Sequence, residues 1–246
     1  MSRFFSPPTL IMILVLGYMA ISGGRFSNPG DWLFSTLLVF PGIIIALSFH
    51  EFAHAAVAYR LGDNTPKFQG RVTLNPLAHL DPIGLICIIF IGFGWGKPVM
   101  IDPRNFMKPR RDDLFVSLAG VTTNFILAFV FGAVLWVLSL LVPMYLEDKT
   151  VIILTSSFLV KKSIEIIPKT IKINLVLMVF NLLPVPPLDG FNVVTEIFNI
   201  KYTELYYKIY EKGFFILMAL MVLGIVSTII EYTVYPLYYF ILGIFL

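Results

Sequence analysis

The stretch Ser48-Phe49-His50-Glu51-Phe52-Ala53-His54-Ala55-Ala56-Val57 lies inside an apolar run from Trp32 to Ala58. That run is long enough to cross a bilayer as a helix. Three ionisable side chains therefore sit where lipid is expected. A charged group near the bilayer centre costs on the order of 2.5–3.5 kcal/mol on insertion scales, so such residues are kept where they form a site. On a helix, His50 and His54 are neighbours on one face, about one turn apart, and both imidazoles can reach one ion. Glu51 points about 100° round the helix from His50, poorly placed to ligate but able to meet a water at the ion. The HExxH pattern thus reads as two zinc ligands and a general base. The chain has 3 histidines, two of which fall in this pattern. A merely structural pair of helix residues would leave their position in an apolar span without a reason.

Composition bounds the surroundings of the motif. Of 246 residues, 58% are hydrophobic and 13% charged, and the mean hydropathy is +0.86, which excludes an ordinary water-soluble domain. Further apolar stretches run over Leu10–Ala20, Leu114–Val142, Ile171–Leu183, Gly213–Ile230 and Tyr232–Leu246. The expected fold is an all-α polytopic membrane protein with about six transmembrane helices. Ile83–Trp95 is shorter and glycine-rich, suiting a re-entrant or hairpin element. Prolines at 66, 76, 82, 98, 103 and 109 block continuous helix in the polar intervals Gly62–Pro82 and Lys97–Asp113. The piece KFQGRVTL (Lys67–Leu74), between Pro66 and Pro76, suggests a small sheet or hairpin. No linker or repeat divides the chain, so residues 1–246 read as one membrane-embedded domain, with a core over about 32–192 and accessory helices at 8–22 and 213–246.

The net charge is only +3, and nothing in its distribution suggests nucleic acid. Basic residues gather between Arg60 and Arg111, which places that region on the cytoplasmic side of the cell membrane. Lys201, Lys208 and Lys212 mark a second cytoplasmic connection. Lys161, Lys162, Lys169 and Lys172 fit on that side only if Val151–Val160 also crosses. The single cysteine, Cys87, forms no internal disulfide. The apolar run after Arg3 could pass for a signal peptide and is read instead as a retained first span.

A catalytic zinc uses three protein ligands and leaves a position for water. The sequence after His54 is Ala-Ala-Val-Ala-Tyr-Arg, so a third histidine does not follow at the HExxHxxGxxH spacing. Asp189 is the best candidate. It follows an apolar span broken by Pro184, Pro186 and Pro187, and unwound backbone at membrane depth is tolerated only within protein or beside a cavity. A plain Asp-Gly turn is the alternative for this residue. Rivals for the ligand are His79, then Asp81, Asp112, Asp113 and Glu196. His79 and Asp81, flanked by Pro76 and Pro82, organise a loop or gate the site. Asn124 and Asn181 read first as helix–helix hydrogen-bond partners.

Together, HEFAH and NLLPVPPLDG (Asn181–Gly190) resemble the site-2 protease family, the M50 intramembrane zinc metalloproteases. NPLAHLDPIG (Asn75–Gly84), GWGKPV (Gly94–Val99) and AGVTTN (Ala119–Asn124) are similar to segments of its compact bacterial branch. The resemblance implies that His50, His54 and Asp189 ligate one Zn2+ per chain and that Glu51 activates the water. It also implies a core of three helices, here Trp32–Ala58, Leu114–Val142 and Ile171–Asp189. Asn124 would be the family's asparagine that holds substrate or the oxyanion, and Asn181 is read in the same way. Val121 stands where the family commonly has proline, and no PDZ- or CBS-like segment is read. The expected activity is hydrolysis of peptide bonds in or near transmembrane segments of membrane proteins. A substrate strand could add to the glycine-rich edge at Gly92, Gly94 and Gly96. A non-proteolytic metal-binding protein or transporter is the alternative, although almost no carboxylate besides Glu51 lines the apolar spans to form a pathway.

Overall fold

The computed structural model describes residues 27–91 and 94–246, together with 14, 15, 17, 18, 21, 22 and 24. The accessory helix expected at 8–22 lies largely outside the described residues. Helix α1 (Pro29–Arg60) begins at Asn28, whose side chain accepts from the Asp31 N–H. Pro29 occupies the first turn, where a missing N–H costs nothing. Its 32 residues extend over about 48 Å, more than a bilayer's hydrocarbon thickness. Gly62, at φ +109°, turns the chain out of the helix.

The polar interval then forms a short helix α2 (Thr65–Phe68), a 3-10 turn at Pro76–Ala78, helix α3 (Pro82–Ile91) and a second 3-10 turn at Pro103–Asn105. No strand forms in Lys67–Leu74, contrary to the sequence-based expectation. Pro66 opens a helical turn there, and Gly70, at φ +68°, reverses the chain before any ladder can start. Ile83–Trp95 goes out as α3 and returns through Gly94 and Trp95, closed at its base by a bridge between Leu80 and Gly96. The two legs touch backbone to backbone: a Cβ on Gly84 would strike Trp95, and one on Gly94 would strike the Gly84 carbonyl.

Helix α4 (Pro109–Ser139) leads to an antiparallel hairpin, β1 (Met144–Glu147) with β2 (Thr150–Ile153), in which Glu147 faces Thr150. Asp148 and Lys149 both have positive φ, the geometry of a two-residue hairpin turn. Val151–Val160 therefore does not cross as a helix, and the lysines that follow need another account. They lie on α5 (Phe158–Asn181), which starts well before the expected Ile171 because Ser157 caps it through the Val160 N–H. Helices α6 (Asp189–Ile197), α7 (Glu204–Val222) and α8 (Ile225–Phe245) complete the chain. The break between the last two falls at Gly224, φ +73°, and not between the expected stretches Gly213–Ile230 and Tyr232–Leu246.

Helices α1, α4 and α5 pack mutually, α6 seats on α4, and α8 closes the opposite side of α4 and α5. Leu135, Ile171, Leu175, Val234, Ile241 and Leu242 fill the seam between α4, α5 and α8 and are wholly buried. Among the described residues, α1, α4 and α8 are long and apolar enough to cross a membrane. The first two-thirds of α5 carry Lys161, Lys162, Glu165, Lys169 and Lys172.

Candidate metal centre

The helical period brings His50 and His54 together on the inner face of α1, with their Nε2 atoms 3.1 Å apart. The third group arrives from α6. After Asn181 the chain turns through Leu182–Leu188, and α6 then starts at Asp189, whose carboxylate sits in the first helical turn, where the helix dipole favours negative charge. Gly190 allows this approach, since a Cβ there would strike the Leu182 and Leu183 carbonyls. Asp189 Oδ2 lies 3.2 Å from each histidine Nε2. Among the described residues this is the group of metal-ligating side chains that converges.

The histidine tautomers follow from their outer partners. Asn124 donates its amide hydrogens to Ala46 O at 3.1 Å and Asn174 Oδ1 at 3.0 Å, so its Oδ1 faces His50 Nδ1, 2.7 Å away. His50 Nδ1 must carry the proton. His54 Nδ1 likewise donates to Val116 O at 2.7 Å. Both Nε2 atoms therefore present lone pairs toward Asp189 Oδ2, a buried oxygen with no hydrogen-bond donor. Three acceptor atoms facing one another repel unless a cation joins them. Zinc bonds of roughly 2.0–2.1 Å in tetrahedral geometry put ligand atoms about 3.3 Å apart, close to the spacings seen, so the residues fit zinc. Gly120 of α4 leaves room for the pair: a Cβ there would lie 2.5 Å from His50 Cε1 and from His54 Nε2.

Glu51 is half-buried beside this group, and its Oε2 accepts from the Val99 N–H at 3.1 Å. The other residues singled out by sequence are not among the three converging donors. Asn124 is wholly buried behind His50. Asn181 donates to Leu177 O at 3.0 Å within its own helix. His79 is buried and paired through Nε2 with Thr73 O at 2.7 Å, while Asp81 caps α3 by accepting from the Gly84 N–H at 2.8 Å. Of the remaining rivals, Asp112 is paired with Arg111, and Asp113 and Glu196 enclose Lys201 in a buried ion cluster. Burial and Asp113 raise the pKa of Glu196, against the pull of Lys201. Sequence reading missed Asn174 and Arg71, which carry no local pattern and matter only through partners distant in the chain.

Residues 38–224 match the model of the family described as Peptidase family M50. A Bacillus subtilis protein named "Putative zinc metalloprotease YwhC" is 44% identical over 155 residues, covering 63% of this chain and 66% of the relative. A Mycolicibacterium smegmatis protein named "Putative zinc metalloprotease Rip2" is 27% identical over 227 residues, covering 87% of this chain and 80% of the relative. The Mycobacterium tuberculosis protein of the same name is 29% identical over 195 residues, covering 75% and 68% respectively. No solved structure gave a significant match.

Proposed function

The chain belongs to peptidase family M50, and from that premise we propose that it is a multi-pass zinc metalloprotease of the cell membrane that hydrolyses peptide bonds in or near transmembrane segments. The observation that carries this reading is the convergence of three lone-pair donors, His50 Nε2, His54 Nε2 and Asp189 Oδ2, next to a carboxylate that is not one of them. His50, His54 and Asp189 would hold the ion. When bound, zinc supplies Lewis acidity, lowering the pKa of a water toward about 7 and polarising the scissile carbonyl.

Glu51 is the general base. Val99 occupies its Oε2, leaving Oε1 to accept the proton of the attacking water and pass it to the leaving amine. Asn124 orients His50 from behind. It serves ligand geometry in this reading and does not contact an oxyanion. Transmembrane substrates must unwind to expose a carbonyl, since a helix spends its carbonyls on its own hydrogen bonds, so helix-breaking residues near the cut favour cleavage. The polar intervals at the end of α1 lie on the cytoplasmic side and bring water to Glu51. Helices α5 and α7 complete the membrane-embedded set together with α1, α4 and α8.

Two variants test the assignment on purified protein with a transmembrane reporter. Glu51→Gln should keep zinc and lose turnover by about 100-fold or more, the scale of losing a general base. Asp189→Ala should lose zinc affinity. Undiminished cleavage by Glu51→Gln would remove the base, and full zinc retention by Asp189→Ala would remove the third ligand.

A further inference from the structure

Arg71 follows the Gly70 reversal, and its backbone N–H is fixed to Pro66 O at 2.9 Å. Its side chain is turned inward and only 5% exposed. Such a cation normally meets a carboxylate, because an unpaired buried charge is costly. Among the described residues Arg71 forms no ion pair. Its donors go to backbone carbonyls: Nη1 to Ala78 O in close contact and to Lys97 O at 3.2 Å, and Nη2 to Pro98 O at 3.4 Å. Burial draws its pKa down, and the Glu51 carboxylate is the charge that draws it back.

The segment gripped by Arg71 is the strap Gly94–Val99, which passes alongside Glu51. On one side of the strap, the Lys97 and Pro98 carbonyls face the guanidinium. The next N–H, that of Val99, faces the Glu51 carboxylate. Pro98 has no N–H, so the register cannot be satisfied by shifting one residue. The strap is thus held between a cation on its carbonyl side and an anion on its amide side. Lysine could supply the charge but not a planar fork reaching carbonyls from two segments.

We propose that Arg71 is a positioning residue of the active centre: by clasping the Lys97 and Pro98 carbonyls it sets the strap so that the Val99 N–H aims the Glu51 carboxylate. The inference rests on the reading of Glu51 as the base. His79, whose backbone carbonyl accepts from the Lys97 N–H at 2.7 Å, is the strap's other anchor.

The test compares wild type, Arg71→Met, Arg71→Lys, Val99→Pro and Glu51→Gln as full-length proteins in detergent. Zinc content, hydrogen exchange over residues 96–101 and turnover of a transmembrane reporter are measured for each. Arg71→Met should hold wild-type zinc and exchange its strap amides about tenfold faster or more. Its kcat should drop about 10–100-fold with KM moved far less, the pattern of a support for a catalytic group. Arg71→Lys should show the same loosened strap. Val99→Pro, which keeps the clasp and deletes the one N–H, should lose kcat to a similar extent. Wild-type strap exchange and kcat in Arg71→Met would overturn the proposal. If that variant does not fold, wild-type kcat in Arg71→Lys or Val99→Pro would do so. Wild-type turnover in Glu51→Gln is a separate failure: it removes the base, while the exchange data still decide whether Arg71 holds the strap.

Discussion

Because both hydrogens of the Asn124 amide are taken by the Ala46 and Asn174 oxygens, its Oδ1 is committed to His50 and the imidazole has one tautomer. Asn174 is itself committed, donating to Thr170 O at 2.9 Å, so the order passes inward from α5 through α4 to the ligand on α1. A supporting residue of this kind is worth about 10–100-fold in metal affinity. Asn124→Leu should lose that much zinc affinity and Asn174→Leu a smaller part of it, measured by competition with a chromophoric chelator. Wild-type affinity in both would mean that His50 needs no outer partner. HExxH was legible because the helical period alone puts two imidazoles on one face. Asn174 was not, since a lone asparagine in an apolar helix gains its meaning only from whichever side chain faces it across the seam.

Between elements, the polar intervals are fastened by Asp63, just past the end of α1. It accepts from the Thr65 N–H and Oγ1, the Asp102 N–H and Asn105 Nδ2, so one buried carboxylate ties the first interval to the second. Burial pushes its pKa up, and these hydrogen bonds outweigh that push, leaving it below the ordinary carboxylate value. A depressed folded pKa gives stability that is present above the unfolded value of about 3.9 and lost as pH falls through the folded one. Asp63→Asn should therefore destabilise the protein by about 1–3 kcal/mol near neutrality, the cost of leaving buried donors unmet. In thermal unfolding, the gap between variant and wild type should hold above about pH 5 and narrow below about pH 4. A gap that widened on acidification would contradict the sign. The elements themselves were legible where period and length were strong, as in α1 and α4. The hairpin at 144–153 was not, because Asp-Lys is a weaker turn signal than Asn-Gly, and the two strands are only 4 residues each. The α7–α8 break was masked by continuous hydrophobicity on both sides of Gly224, which has no side chain to mark the turn.

For the molecule as a whole, the sequence supported a three-helix core whose third helix ends in Asp189. In the structure that helix stops at Asn181 and Asp189 opens a separate helix, so that α1, α4, α5 and α6 come together around the three donors. What the sequence could not convey is the division of labour between the faces of α4. One face, at Gly120, meets the histidines. The other, at Gly132, meets the ring of Phe245 and Ile241 on α8, at a place where a Cβ would overlap the ring. Val234, Ile241 and Leu242 bury themselves against this far face, remote in the packing from His50, His54 and Asp189. Stability and metal binding should then separate. Gly132→Leu forces the α4–α8 seam apart, and overpacking of a close-packed seam costs about 1–3 kcal/mol. Its thermal midpoint in detergent should fall, while chelator competition should return the wild-type zinc affinity, because interactions with no shared partners add independently. If zinc affinity fell along with the midpoint, α8 would belong to the support of the centre and the two faces of α4 would act as one.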